Sequence, residues 1–398
     1  MPAVRYPGRE KSSFHQHCRD ERYRVDAVLP ADLGGALRAN RKITKVRLSL
    51  LSSTPQEDGG SENIQRAVAI VFQTRGRFSS AILLFPMKAS AAIRAVGAST
   101  VALALALAAS FGPGQLVTRF PAELDEISGI GQSRSSPNVF WVHNDSGDQP
   151  RVYAVNRNGA LLGTYLLEGA AAVDWEDMAI GPGPGGRSYL YLADIGDNSA
   201  RRMSIRVYRV LEPRVEANQT PVTTTLSGVT AFDFVYEDGP RDAEGFMVDP
   251  LSGEFYIVSK RELAGNRLYR SEAPVAGQVN TLMRAGTFPF TGTTGAAISP
   301  DGLQVVIRRY STATNSFTPP ASAASYWSRP NGSIALVDLL KQSGQIIPLT
   351  PEVQGEAITF SADNRGFYTT TERGSGASAP LAPLTFYAPV PEAPPAKQ

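Results

Sequence analysis

One cysteine, Cys18, and three histidines, His15, His17 and His143, are all that the 398 residues contain of those two types. Beyond residue 110 there is no thiol and a single imidazole. Cysteine-ligated zinc, iron–sulfur clusters, thiolate nucleophiles, disulfide frameworks and multi-histidine metal sites all need side chains that this part of the chain lacks. Helical periodicity is almost absent there too. Motifs of fixed spacing are also missing, with no GxSxG elbow, no Gly-Lys pair for a phosphate loop and no HExxH. GPGPGG at 181–186 spells a dinucleotide fingerprint, yet its two prolines and its place between two strands make it a hairpin turn with no helix to receive a pyrophosphate.

What is present is ordinary globular composition, 42% hydrophobic and 19% charged, with 36 glycines and 29 prolines that favour many short strands. The net charge of +2 hides a split. Residues 1–86 carry fourteen basic and eight acidic residues, Lys88 and Arg94 follow, and 23 basic against 29 acidic remain after residue 110, a net of −6. A basic nucleic-acid stripe is therefore not expected on the folded part, and cations are better partners than phosphate backbones.

Met87 opens a segment, MKASAAIRAVGASTVALALALAAS, with the layout of an export signal. Lys88 and Arg94 form a positive start, Val101 to Ala109 is an unbroken apolar run, and small residues around Ala104 to Ala108 suit cleavage. The run is too short for a membrane span. The expectation is residues 87–110 as a signal peptide and a secreted mature chain, with residues 1–86 a non-native extension from a start codon assigned too early, or disordered. The alternative is a cytoplasmic extension anchored by residues 95–109.

From residue 111 to 388 short β-rich segments recur between turn clusters. Ile130, Met178, Phe246, Ile298 and Ile358 align as an anchor column. Two residues earlier stand Ser128, Glu176, Glu244, Ala296 and Glu356, and four earlier Glu126, Asp174, Asp242, Thr294 and Gln354. Second strands follow at Val139–Val142, Tyr189–Ala193, Phe255–Val258, Val305–Ile307 and Phe367–Thr370. Third strands are expected at 151–155, 205–210, 267–270, 334–338 and 384–388. A period of 48 to 68 residues suits four-stranded propeller blades. The fold expected is all-β, a five-bladed propeller whose last blade takes an N-terminal outer strand at Leu116–Phe120. A six-bladed ring stays open if Val222–Tyr236 holds a degenerate blade. Residues 389–398 read as a Pro-rich tail.

The turns SPDG and DPLSGEFYIV, the segment DWED and the ordered set YEDGPRDAEG, TGAAISPDG, RRY and QGEAI resemble exported bacterial β-propeller proteins, WD40-like or phytase-like and of an actinobacterial type. The likeness runs over about residues 120 to 375. It departs at Ala297, where members of that group commonly carry an acid. It implies an exported propeller; by analogy with phytase-like and lactonase propellers it also implies a metal-assisted hydrolase of phosphate or sugar esters or lactones.

In a propeller, first strands begin where second strands end, so both gather on one face. That face collects acids from the strand openings and, from the second-strand ends, HNDSGD (143–148), DIGDN (194–198), KRE (260–262), RRY (308–310) and Glu372-Arg373. One reading pairs these acids with bases and turn amides. The other places calcium among carboxylate oxygens, with Asp174, Glu176, Asp194, Asp197, Asp242, Glu244 and Glu356 as candidate ligands. Asn144, Asp145, Lys260, Arg308, Arg309, Glu372 and Arg373 are then candidate ligand contacts. The catalytic candidates are His143, with Asp145 near it, Glu176 and Glu244. An insertion at 311–330 carries Tyr326 and Trp327, which either cover the site or pack on their own blade. The functional expectation is a binding or scaffold protein with a small molecule, glycan or protein on the channel face.

Overall fold

The computed structural model describes residues 43–52, 65–74, 77–86, 111–310, 322–374 and 378–390. The chain divides into two units, Met1–Ala106 and Leu107–Gln398.

The first unit holds an antiparallel meander, β1 (Ile43–Ser52), β2 (Gln65–Thr74) and β3 (Arg77–Pro86), with β2 in the centre. QRAVAIVFQT and RFSSAILLFP are rich in aliphatic and aromatic residues that favour strands, but they share no repeat with the rest of the chain. The signal-like segment 87–110 lies outside the described residues, as does the tail beyond residue 390.

The second unit is a ring of five blades, and the outer strands of the second and third pair with each other in parallel. The first blade is β5 (Ile127–Gln132), β6 (Val139–Asn144), β7 (Arg151–Asn156) and β8 (Leu161–Leu167); the second is β9 (Trp175–Pro182), β10 (Ser188–Asp194), β11 (Ile205–Leu211) and β13 (Thr230–Tyr236). The third is β14 (Ala243–Val248), β15 (Phe255–Ser259), β16 (Arg267–Ser271) and β17 (Val279–Thr287). The fourth is β18 (Thr293–Ile298), β19 (Gln304–Arg309), β20 (Ala323–Ser328) and β21 (Gln345–Pro348). The fifth is β22 (Gly355–Phe360), β23 (Phe367–Thr371), β24 (Pro383–Tyr387) and, from the other end of the unit, β4 (Gln115–Arg119). The first strands touch in the order β5, β9, β14, β18, β22 and back to β5, so the ring is closed. The five-bladed propeller with an N-terminal closing strand is thus present, β4 pairing antiparallel with β24 from Arg119 opposite Pro383 to Gln115 opposite Phe386.

Closure follows from where apolar side chains must go. Five buried clusters lie between neighbouring blades, one centred on Phe234, Phe246 and Phe255 and another joining Phe120 and Ile130 to Tyr368 and Leu384. Each sheet is covered on both faces by its neighbours, and an open ring would leave two faces wet.

The segment held open for a sixth blade is divided otherwise. Strand β12 (Val222–Leu226) adds in parallel to β8 on the first blade, and β13 is the outer strand of the second. In the fourth blade the third strand is β20, which lies inside the expected insertion. The stretch expected to form it instead leads into a one-turn helix, α1 (Leu336–Leu340). Its three leucine-type positions, Leu336, Leu339 and Leu340, are buried at helical spacing. Among the described residues no helix is long and apolar enough to cross a membrane.

One turn recurs in every blade. The backbone amides of Ser133, Gly183, Asp249, Ser299 and Ser361 close the first hairpins onto the carbonyls of Val139, Arg187, Glu254, Gln304 and Gly366, at 2.8 to 2.9 Å. Ser133, Asp249 and Ser361 stand three residues past the anchors Ile130, Phe246 and Ile358. Ser299 stands three past Ala296. The strand register places the fourth anchor at Ala296 and not Ile298, because Ala296 stands two past the unpaired Thr294 as Ile130, Met178, Phe246 and Ile358 stand two past Ser128, Glu176, Glu244 and Glu356.

Candidate functional site

Every first strand opens with an extra residue that has no partner on the second strand. The register skips Ser128, Glu176, Glu244, Thr294 and Glu356. Such bulges re-aim side chains at sheet ends, and here they gather five repeat-equivalent residues at one end of the channel. Thr294 takes the place in the ring that the sequence alignment gave to Ala296.

Neighbouring bulges are tied by hydroxyls. Ser128 Oγ donates to the carbonyl oxygen of Glu176 and, at 3.2 Å, to its Oε2. Thr294 Oγ1 donates to the carbonyl oxygen of Glu356 at 3.1 Å. The residues after the bulge are Gly129, Gly245, Gly295 and Ala357 in four blades, because little space remains there. A Cβ on Gly129 would lie 2.1 Å from His143 Nε2. Gly129→Ala is expected to lower stability by about 1–3 kcal/mol, the usual cost of overpacking, read as a lower urea midpoint. A midpoint equal to the parent protein's would show that the His143 ring can move aside.

The second blade has Asp177 at that position. Its carboxylate, wholly buried, accepts from Met178 N at 2.8 Å, from Phe246 N at 2.9 Å and from Ala296 N at 2.9 Å. It joins the first strands of three blades at the channel axis. No sequence argument singled it out, although an acid standing where the other copies have Gly or Ala was a usable signal.

Two carboxylate triads share Glu176. Donor oxygens of Asp145, Asp174 and Glu176 lie within 4.8 Å of one another, as do those of Glu176, Asp242 and Glu244. Cations already serve the second triad, since Lys260 donates to Glu244 and Arg261 pairs with Asp242. Glu244 Oε2 is buried and has no hydrogen-bond partner. In the first triad, the Asp145 carboxylate accepts from the backbone amide of Ser146, and among the described residues no Lys or Arg forms a salt bridge to Asp145, Asp174 or Glu176.

Burial and mutual repulsion set the acidities. Burial first, then Asp145 and Asp242, push Asp174 up to about 6. Burial first, then Glu244 and Asp145, raise Glu176 well above the carboxylate range. Glu244 is raised by burial despite Lys260, and Glu356 is raised by burial as well. Glu372 reaches about 7 through burial, Glu356 and Asp145. Burial works against the Lys260 cation, but Glu244, Glu356 and Glu176 outweigh it and raise its pKa.

Other candidates serve the scaffold. Asp194 accepts from the amides of Val173 and Asp174 at 3.3 and 3.1 Å and pairs with Arg202 at 2.8 Å. Asp197 accepts from the amide of Arg202 at 2.6 Å, while its own amide donates to Asp242 at 3.0 Å. Both hold the 194–202 loop beside the site and lie outside the two triads. Arg308 is fully buried, bonded to Glu352 and to the carbonyls of Ala357 and Thr370, and burial lowers its pKa to about 10. Arg309 lies over Phe290, its guanidinium carbon 5.2 Å from the ring centre. Arg373 donates to the carbonyl of Ala379 at 3.0 Å.

His143 is wholly buried, edge-on to Trp175 with ring centres 5.5 Å apart, and burial lowers its pKa. Asn144 donates from Nδ2 to Glu123 O at 3.0 Å. Trp327 packs between the third and fourth blades, against Phe288 at the end of the third, and its indole donates to Gln342 O at 2.9 Å. Tyr326 is buried beside it on β20, and neither ring covers the carboxylates.

No known family profile matches the chain, and no curated protein matches its sequence. Solved propellers resemble it in architecture. The WD40 repeats of RRP9 align at 11% identity and a TM-score of 0.32, covering 82% of this chain and 77% of that one. The Dos1 propeller aligns at 10% identity and 0.31, covering 69% and 95%. A periplasmic gluconolactonase of Pseudomonas aeruginosa aligns at 12% identity and 0.29, covering 61% and 64%. The propeller assignment rests on the closed sheet topology.

Proposed function

We propose that the protein is an exported binding protein whose channel mouth holds a calcium ion on Asp145, Asp174 and Glu176, with Lys260 beside it. The observation that carries this reading is the first triad, three carboxylates whose donor oxygens converge within 4.8 Å with no salt-bridged base of their own. Carboxylates packed this closely repel unless a proton or a cation intervenes. Calcium accepts six to eight oxygen ligands in a flexible shell, whereas magnesium demands tight octahedral geometry and dehydrates reluctantly. Three carboxylates leave coordination positions for an oxygen-rich ligand, and Lys260 offers it a cation.

The thermal midpoint of the protein, measured in excess calcium, in magnesium and in chelator, tests this. Calcium is expected to stabilise by about 2.7 kcal/mol at one hundred times its Kd, and magnesium by less. Asp174→Asn is expected to remove most of the shift, whereas Glu216→Gln, at an exposed position, keeps it. Equal midpoints in calcium and chelator would return the triads to a purely scaffold role. Calcium-dependent turnover of a lactone or phosphate ester would make the site hydrolytic.

The raised acids also give a sign. A carboxyl whose folded pKa lies above its unfolded value of about 4 binds its proton more tightly when folded. Its stabilisation is complete at low pH and is lost as pH rises through the folded value. In chelator, stability is therefore expected to fall between about pH 4 and pH 7, the window set by Asp174 at about 6 and Glu372 at about 7. Calcium, which replaces the protons, should flatten that slope. Urea midpoints at each pH measure it, and a rising slope in chelator would contradict the buried acidic mouth.

Export is proposed from the signal-like layout of residues 87–110. Recovery of the chain outside the cell with a new terminus near Ser110 is the supporting result.

A further inference from the structure

We infer that strand β12 is the contact between two copies of this chain, which pair antiparallel about a two-fold axis through Thr224. The strand is the outer edge of the first blade: β8 pairs with one side of it, and among the described residues no strand pairs with the other. Its side chains are wet as well, with Val222 and the three threonines exposed and Leu226 half-buried. An edge of this kind offers backbone donors and acceptors to another strand.

The other outer edges are guarded. Those of the second and third blades pair with each other, β13 with β17. In the fourth blade β21 has only four residues and ends in Pro348, and in the fifth β4 ends in Arg119. Short edges, prolines and charges are the usual means of keeping a sheet edge from pairing with another chain. The β12 sequence, Val222-Thr223-Thr224-Thr225-Leu226, contains neither a charge nor a proline.

The same sequence selects its own copy as the partner. The Leu226 carbonyl accepts from the amide of Glu168 at 3.0 Å, so Leu226 turns its backbone toward β8. The register runs in parallel from Val222 opposite Gly163 to Leu226 opposite Leu167, and strand alternation therefore turns Val222 and Thr224 toward β8 too. The N–H and C=O groups of Thr223 and Thr225 are left facing outward. Run antiparallel to itself, the strand sets Thr223 opposite Thr225 of the second copy as a hydrogen-bonded pair, and the two-fold axis repeats that pair on its other side. Thr224 meets Thr224 at the axis, and Val222 meets Leu226. Threonine pairs of this kind stabilise a sheet, and no like charges are brought together. Pro221, the next outward-facing position, has no N–H and ends the ladder. None of this depends on calcium at the channel mouth.

Sedimentation equilibrium of the full chain tests the pairing. A concentration-dependent equilibrium between one chain and two is expected. Thr223→Pro leaves the ladder with β8 intact, because the N–H it removes faces outward, and should raise the dimer Kd at least about ten-fold, since symmetry deletes that hydrogen bond twice. Thr224→Lys sets two ammonium groups opposite each other at the axis and should raise it similarly. Ile346→Lys, at an exposed position on the β21 edge, should leave it unchanged. Thr224→Cys in a Cys18→Ser background should form a covalent dimer under mild oxidation, because a directly opposed antiparallel pair of this type holds its Cα atoms about 4.5 Å apart, within reach of a disulfide. Ile346→Cys in the same background should not. A single-chain mass at every concentration reached, or a dimer that survives both Thr223→Pro and Thr224→Lys, would overturn the proposal. Assemblies that keep growing beyond two chains would overturn the two-fold pairing. Should Thr223→Pro fail to fold, Thr224→Lys and the cross-link decide the matter by themselves.

Discussion

Asp177→Ala is expected to cost about 3–6 kcal/mol, because the amides of Met178, Phe246 and Ala296 lose their common acceptor and an unsatisfied buried amide costs about 1–3 kcal/mol. Against a total stability of about 5–15 kcal/mol for a typical domain, that is a large share. The loss is greater than for an ordinary core acid because the three amides belong to β9, β14 and β18, so one side chain fastens three blades at the axis. Asp177→Asn keeps a carbonyl oxygen but turns an amide donor toward a backbone donor, so a smaller loss is expected. Urea unfolding followed by circular dichroism measures both. A change below about 1 kcal/mol in the alanine variant would mean that the cost of burying the carboxylate, which raises its own pKa well above the usual range, cancels what it gives.

Deleting residues 111–121 is expected to abolish cooperative unfolding or cause aggregation. The deletion removes β4 and with it the outer edge of the fifth blade. It also removes Phe120, which is fully buried between the fifth and first blades and whose amide donates to Ala382 O at 2.9 Å. The edge of β24 would then present unpaired backbone groups to other chains. Scanning calorimetry with light scattering is the measurement. An unchanged melting temperature would show that the ring does not depend on its first strand. The point substitution Phe120→Ala, which keeps the backbone pairing, should cost about 3–5 kcal/mol as a core truncation.

The two results separate two ways of holding a ring. Asp177 acts at the axis through hydrogen bonds, and β4 acts at the rim through pairing and burial. A protein weakened at the axis should unfold earlier but remain soluble. One weakened at the rim should expose an edge and associate.

The sequence by itself determined the all-β propeller architecture but left five or six blades open. Strand alternation, turn chemistry and an acid recurring at four of the five first strands specify blades, because each blade repeats the same local problem of two hairpins with buried faces. They also specified the closing strand, since four strands per blade and three visible in the last copy leave one to be supplied. Tertiary structure decided the rest. Ile298 looked like the fourth anchor because it is the bulky residue of its strand, yet the unpaired residue Thr294 puts Ala296 there, a distinction that only strand register makes. The third strand of the fourth blade was misplaced because the buried leucines of α1 resemble a strand in one dimension. Asp194 and Asp197 read as ligands from their loop, but nearby amides and Arg202 claim them, and nothing in the order of residues tells which neighbour an oxygen will meet. Asp177 was passed over for the same reason, since two of its three partners lie 69 and 119 residues away. Local pattern fixes which strands form, because strand formation is decided by neighbours in sequence. The fate of each carboxylate is decided by groups brought together only when the ring closes.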